Sequence, residues 1–332
     1  MRKFAALVAA GAAVLGVRRY TALRRSLSAV DPELRSPLMV ALAIPFNRLT
    51  LPFVRMGYRP SSSPGPGVTQ STHHADDGRV RVLVFAPTER SAARPAVLCI
   101  HGGGLCVGTP QLEAQLSGRL VRDVGAVVVS PEYRLAPENP FPAALDDCVA
   151  TLKWMVKCAD ELGIDTDRIA VHGMSSGGGL AAAVAQRAFD EGIPVRVQAL
   201  VSPMLDDRTA LRDDQPGPGE LTWSRSSNRF AWTAYLGREP RLSDAPEYAA
   251  PARRKDLGGL PAAWIGVGDL ELFYDENVAY AERLTAAGVP CELVTVPGMY
   301  HVANGLAQKA LSMQNFHASM VQHLRTYLDA AA

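Results

Sequence analysis

The chain has almost no net charge: 34 Lys and Arg stand against 33 Asp and Glu over 332 residues, leaving +1. That balance lacks the electrostatic footprint of a nucleic-acid or polyanion binder and points to a neutral small molecule as the partner. Cysteine is also scarce. Cys99, Cys106, Cys148, Cys158 and Cys291 are an odd number with no C-x-x-C pair, and Cys99 and Cys291 fall in apolar, strand-like runs. Reduced, buried thiols are the expectation, and no disulfide framework is indicated. The glycine cluster after Ile100 fits neither phosphate-binding pattern, G-x-x-x-x-G-K-[ST] or G-x-G-x-x-G, which disfavours a nucleotide loop there.

The amino terminus is too short in apolar residues for a span. The uncharged run from Phe4 to Val17 is fourteen residues, whereas crossing hydrocarbon takes about 20. Arg2 and Lys3 precede the run, and Arg18, Arg19, Arg24 and Arg25 follow it. Three readings stay open: a signal or anchor segment, an ordinary cap helix, or an amphipathic helix resting on anionic lipid. Cleaved secretion is disfavoured, because the Ala10-Gly11-Ala12 site would leave a very short apolar core. The expected location is either the cytoplasm or the membrane periphery, the latter through contact by the amino-terminal segment. A homodimer is compatible with the chain.

With 48% hydrophobic residues, the length suits one large α/β core with a cap. Pro60-Ser61-Ser62-Ser63-Pro64-Gly65-Pro66-Gly67 can form neither helix nor central strand, so residues 1–67 read as a cap segment and linker. Beyond it, strand-like runs at Val80–Phe85, Ala96–Ile100, Ala126–Val129, Ile169–Val171, Val195–Val201, Ala263–Val267 and Glu292–Val296 alternate with helical segments. The helices are expected near Gln111–Arg122, Ala143–Cys158, Gly178–Asp190, Asp275–Ala287 and Lys309–Leu328. That rhythm predicts a mostly parallel central sheet flanked by helices in a catalytic domain over 68–332. Residues 203–259 break it, with Pro216-Gly217-Pro218-Gly219 and then Trp223, Phe230, Trp232 and Tyr235, and read as an insertion forming a helical cap.

Three separated motifs carry chemistry. Gly173-Met174-Ser175-Ser176-Gly177 follows an apolar strand and opens an Ala-rich helix. This is the context of a nucleophile elbow, where small flanking residues let strand and helix approach while Ser175 takes a strained conformation. His101-Gly102-Gly103-Gly104 follows the strand ending at Ile100. The amides of Gly102 and Gly103, with that of Ser176, can form an oxyanion hole, each donor worth about 3 to 4 kcal/mol in well-studied hydrolases. His301, after Pro297-Gly298 and before the last helix, suits a general base. His172, beside the elbow, reads as a packing or hydrogen-bonding residue, and His73, His74, His317 and His323 as surface residues.

These stretches, with Tyr133-Arg134-Leu135-Ala136-Pro137-Glu138, Pro140-Phe141-Pro142-Ala143-Ala144 and Pro297-Gly298-Met299-Tyr300-His301, resemble the hormone-sensitive-lipase group of bacterial esterases in the α/β-hydrolase superfamily. The resemblance runs from Val80 to the carboxyl terminus and implies an α/β-hydrolase fold with a cap. The group's elbow usually reads G-D-S-A-G-G, so Met174 and Ser176 depart from it, and Met174 removes a charge beside the nucleophile. The resemblance also places Tyr133–Glu138 beside the oxyanion loop as support.

Asp269 and Glu271 both lie in the turn after the strand Ala263–Val267, where the acid belongs. Aligning the group's D-x-x-x-D-E pattern on Asp275-Glu276 puts Glu271 first and favours it over Asp269. Asp275 and Glu276 then read as charging the first turn of the next helix. The expected activity is hydrolysis of short to medium acyl esters by Ser175, His301 and Glu271 through an acyl-enzyme, with no metal or organic cofactor. Met174, Met204, Leu205, Trp223 and Trp232 read equally as pocket lining or cap core. An amidase or acyltransferase with the same triad, or a non-catalytic receptor on the same fold, are the rival readings.

Overall fold

In a computed structural model of the chain, the described residues are 27–36, 39, 45–57, 63–89, 93–212 and 221–329. The apolar run Phe4–Val17 with its arginines, the start of the Pro60–Gly67 linker, and Pro216–Gly219 lie outside them.

The apolar runs assemble into one eight-stranded sheet: β1 (Val68–Ala75), β2 (Val80–Pro87), β3 (Arg94–Ile100), β4 (Val127–Pro131), β5 (Ile164–Met174), β6 (Val197–Val201), β7 (Ala262–Gly268) and β8 (Cys291–Val296), in the order β1-β2-β4-β3-β5-β6-β7-β8. β1–β2 and β2–β4 pair antiparallel, and every other pair is parallel. The central strands are buried on both faces, which is why they read as nearly continuous Val, Ile, Leu and Ala. β1 was not anticipated. It is a polar edge strand, mostly exposed, recognisable only by its hairpin pairing with β2.

Helices cover both faces. α1 is Leu51–Gly57, α2 Ala114–Val124, α3 Ala143–Lys157, α4 Ser176–Asp190, α5 Arg225–Leu236, α6 Tyr274–Ala286 and α7 Leu311–Asp329. Leu120, Val121 and Val124 of α2 join Met313, Phe316, Met320 and Leu324 of α7 in one core layer. Leu145, Cys148 and Leu152 of α3, Leu180 to Ala188 of α4, and Tyr280 and Leu284 of α6 build the other. All five thiols are free, Cys99, Cys106 and Cys148 fully buried. Among the described residues no helix is long and apolar enough to cross a membrane.

Two features of this architecture position a site. The parallel register brings Ile100 level with Gly173, Met174 with Val201, and Gly268 with Val296. The loops after β3, β5, β6, β7 and β8 therefore all leave from one sheet edge, the edge where α/β proteins bind ligands. Over that edge lies material from both ends of the expected cap: the Phe46 amide donates to Ser227 Oγ at 3.0 Å, and the Phe46 ring meets Trp223 edge-on at 5.1 Å.

Candidate active site

Ser175 sits on a turn that only small neighbours permit. Its backbone is at φ 57, ψ −125, a strained region for a residue with a side chain. A Cβ on Gly173 would stand 2.1 Å from the Gly177 oxygen, and one on Gly177 would stand 2.2 Å from the Ile100 oxygen. Glycine at both positions is what lets β5, α4 and β3 converge. The turn is pinned by the Ser175 amide donating to Val201 O at 2.8 Å, and by Gly179 and Met204 amides donating to Ser175 O at 3.0 Å each.

His301 reaches this hydroxyl from the loop after β8. Its Nε2 is 2.9 Å from Ser175 Oγ, and its Nδ1 is 2.7 Å from Glu271 Oε2. The other carboxylate oxygen of Glu271 accepts from Ser202 Oγ at 2.6 Å and the Gly268 amide at 3.1 Å. All three side chains, Ser175, His301 and Glu271, are buried. An imidazole held between a hydroxyl and a carboxylate can take the hydroxyl's proton and hand it on. Asp269 is exposed and turned away, its Oδ1 accepting from the Gly298 amide at 2.7 Å. It tethers the loop that carries His301. Ser202, which no sequence signal marked, holds the far side of Glu271 from a left-handed backbone position at φ 44.

The glycine loop after β3 closes over the same point. Gly103 has φ 122, and a Cβ there would meet Val107 O at 2.0 Å; Gly104, at φ 60, has the Trp223 ring against it. A Cβ on Gly102 would stand 3.5 Å from Ser175 Cβ, so the loop backbone borders Ser175. The Leu105 amide donates to Ser176 Oγ at 3.1 Å, locking the loop to the head of α4. Tyr133 supports it from behind, donating to His101 O at 2.8 Å and stacking on the His101 ring at 4.1 Å. Burial pushes the His101 imidazole down to about 4, so it is neutral.

A cavity of about 710 Å³ opens onto Ser175 and His301, bordered by Gly102, Gly103 and Gly104. Of the residues expected to line a pocket, Met174 and Trp223 do so. Met204, Leu205 and Trp232 do not. Met204 and Leu205 turn under α4 and α6, into the core layer that also takes Trp232 from the inner face of α5. Glu276 lies in the first turn of α6, as expected, but is buried there: it accepts from the Leu205 and Asp206 amides at 2.7 and 3.3 Å and from the Thr209 hydroxyl, and burial raises its pKa well above the usual range. One further expectation needs correction. His323 is buried against Glu292 at 3.0 Å, and His317 is half-buried against Asp123 at 3.0 Å.

Glu113, Asn304 and the cavity-facing side of His172 went unnoticed in the sequence, where nothing local distinguishes them. Glu113 stands at the head of α2 on the cavity wall with no cation within ion-pair distance among the described residues. Burial against the loop pushes its carboxyl up to about 7, with the Gly102 amide pulling the other way.

A family model described as alpha/beta hydrolase fold matches residues 97–304. Esterase LipI of Mycobacterium tuberculosis is 36% identical over 219 residues, covering 65% of this chain and 68% of its own length. Carboxylesterase NlhH of the same organism is 38% identical over 229 residues, covering 67% and 70%. Among solved structures, the chain is similar to a bacterial heroin esterase with a TM-score of 0.82 and 34% identity, over 91% of this chain and 99% of the other.

Proposed function

Since the chain belongs to the α/β-hydrolase fold family, in its hormone-sensitive-lipase group of bacterial esterases, and is a carboxylic ester hydrolase, we propose that it works through Ser175, His301 and Glu271. The observation that carries this reading is His301 lying between Ser175 Oγ at 2.9 Å and Glu271 Oε2 at 2.7 Å. Ser175 Oγ attacks the ester carbonyl as its proton passes to His301 Nε2. The amides of Gly102, Gly103 and Ser176 receive the oxyanion, each donor contributing about 3 kcal/mol or more in the transition state. His301 then protonates the departing alcohol, leaving an acyl-Ser175, and water repeats the sequence to release the acid. Glu271 fixes the Nδ1–H tautomer and favours the imidazolium as it forms.

Residues up to 67 and 203–259 serve in this reading as the cap. Supporting it, Phe46, Phe53 and Trp223 share the cavity wall with Ser175, and Thr222 Oγ1 donates to the His301 carbonyl at 2.7 Å. The largely apolar wall and the cavity's size favour short to medium acyl groups. A chain-length series of nitrophenyl esters run beside the matching anilides tests the proposal. Ester hydrolysis peaking below about ten carbons, with anilides at least 10³-fold slower, is the expected result. Comparable anilide cleavage would instead make the chain an amidase with the same triad.

A further inference from the structure

The near-zero net charge of the chain conceals a split. Residues 1–67 carry ten Lys and Arg against only Asp31 and Glu33, a balance of +8, whereas residues 68–332 carry 24 against 31 acids, a balance of −7. An anionic surface attracts the first part and repels the second. The basic part joins the body beside the reacting groups. Val30 and Leu34 are buried, the Asp31 amide donates to the Gly298 carbonyl at 3.2 Å, and the Tyr300 hydroxyl donates to the Leu34 carbonyl at 3.1 Å. Residues 27–34 therefore lie against the loop that carries His301. Arg24 and Arg25 are three and two residues before Leu27, no more than about 11 Å of chain away.

From this same part of the chain, α1 presents an apolar face to solvent at the cavity mouth. Leu49, Phe53 and Met56, spaced by four and three residues along one helical face, are 82, 74 and 78% exposed. Among the described residues only three other large apolar side chains are exposed, Phe189, Leu242 and Leu311. The fold fixes this exposure. Asn47 Oδ1 accepts from the Leu49 and Thr50 amides at 2.9 and 3.0 Å, and Leu51 is buried against Val107 and Ala136. Arg55 ties the helix down, donating to the Cys106 and Ala136 carbonyls at 2.9 Å and to both Glu138 oxygens at 2.8 Å. Phe53 nevertheless shares the cavity wall with Thr50, Val54 and Ser175. A ring mostly in solvent yet part of that wall stands at its rim.

We propose that α1 docks on a bilayer containing anionic phospholipid. Leu49, Phe53 and Met56 enter the boundary between headgroups and acyl chains, and the cations around them, with Arg48 exposed beside Leu49, meet the phosphates. The cavity mouth then opens onto lipid and takes its ester from there, a step that rests on Ser175 as the reacting centre. A second copy of the chain fits the face less well. It would set one basic segment against another, and three side chains fall short of the roughly 800 Å² per partner that stable interfaces bury.

The test is flotation of the full chain, wild type and Leu49→Ser/Met56→Ser, with vesicles of phosphatidylcholine alone or with about 30 mol% phosphatidylglycerol. Neither substituted side chain borders the cavity, so the double variant should keep kcat/KM on dissolved nitrophenyl acetate within about twofold of wild type. Wild type should bind the anionic vesicles about tenfold or more tightly than the neutral ones, and about 0.5 M salt should remove most of that difference. The variant should bind the anionic vesicles about tenfold or more weakly than wild type, and hydrolysis of nitrophenyl octanoate held in them should fall with binding. No binding by wild type, equal binding to the two lipids, or undiminished binding by the variant overturns the inference. So does a wild-type dimer that the variant turns into monomer in ultracentrifugation, which makes a second copy the occupant. A fall of more than about 5 °C in the variant's Tm also overturns it, by placing the chain's own amino-terminal segment on the face. Wild type that hydrolyses neither ester would sink the triad reading, and flotation would still decide the docking.

Discussion

At the sheet edge Ser175, His301 and Glu271 are each held by another group: hydroxyl to imidazole, imidazole to Glu271, Glu271 to Ser202 and the Gly268 amide. On the α2–α7 side of the same cavity, among the described residues, Glu113 has no cation within ion-pair distance, and His172 Nε2 and Asn304 Oδ1, both buried, have no hydrogen-bond partner. The difference separates groups preorganised for the proposed reaction from a wall whose polar groups are left without partners. Groups already satisfied can be aimed once and kept aimed, so no reorganisation is needed as charge develops. Groups left unsatisfied gain most when a complementary ligand arrives. Substitutions at the sheet edge should therefore act on kcat for every ester, and one at Glu113 on the pH response.

The largest effect expected from this contrast is at the acid. Glu271→Ala leaves His301 without its Nδ1 partner and should lower kcat by about 10⁴-fold on any nitrophenyl ester. Asp269→Ala loses one loop hydrogen bond, to the Gly298 amide, and should cost less than about tenfold. Steady-state kinetics on the two variants decide it; the reverse ranking would mean that Asp269 swings in to orient the imidazole.

A smaller effect is expected at Glu113. Its carboxyl is held neutral up to about 7 and gains its charge above that. The charge then appears beside Gly102, whose amide is one of those proposed to receive the oxyanion. Wild-type kcat/KM on nitrophenyl butyrate should accordingly fall about three- to tenfold between pH 7 and 9, whereas Glu113→Gln stays level over that range. A decline of the same size in both proteins would place its origin elsewhere in the cavity.

Much of the sheet edge was legible in the sequence because each part is local. A glycine run after an apolar strand, or a serine between glycines before an Ala-rich helix, is decided by its chain neighbours. The choice between Asp269 and Glu271 needed the family pattern, since both lie in one turn. The turn from Gly268 to Phe273 faces Glu271 inward, and the Gly298 amide engages Asp269. Trp223 and Trp232 look alike in the sequence; one is set against Gly104 and the other on the inner face of a helix. The role of His172 was illegible because β5 alone does not say which ring nitrogen meets the Ala199 carbonyl. β1 escaped notice because an exposed edge strand needs no apolar alternation.

The proposed mechanism makes Ser175 alone the nucleophile. Intact-mass and peptide mass spectrometry after treatment with a fluorophosphonate tests it most directly. One phosphonyl group per chain, located on Ser175, with hydrolysis of nitrophenyl butyrate lost in proportion and no labelling of Ser175→Ala, is the predicted result. Modification at another residue, or full activity in the labelled protein, would contradict it.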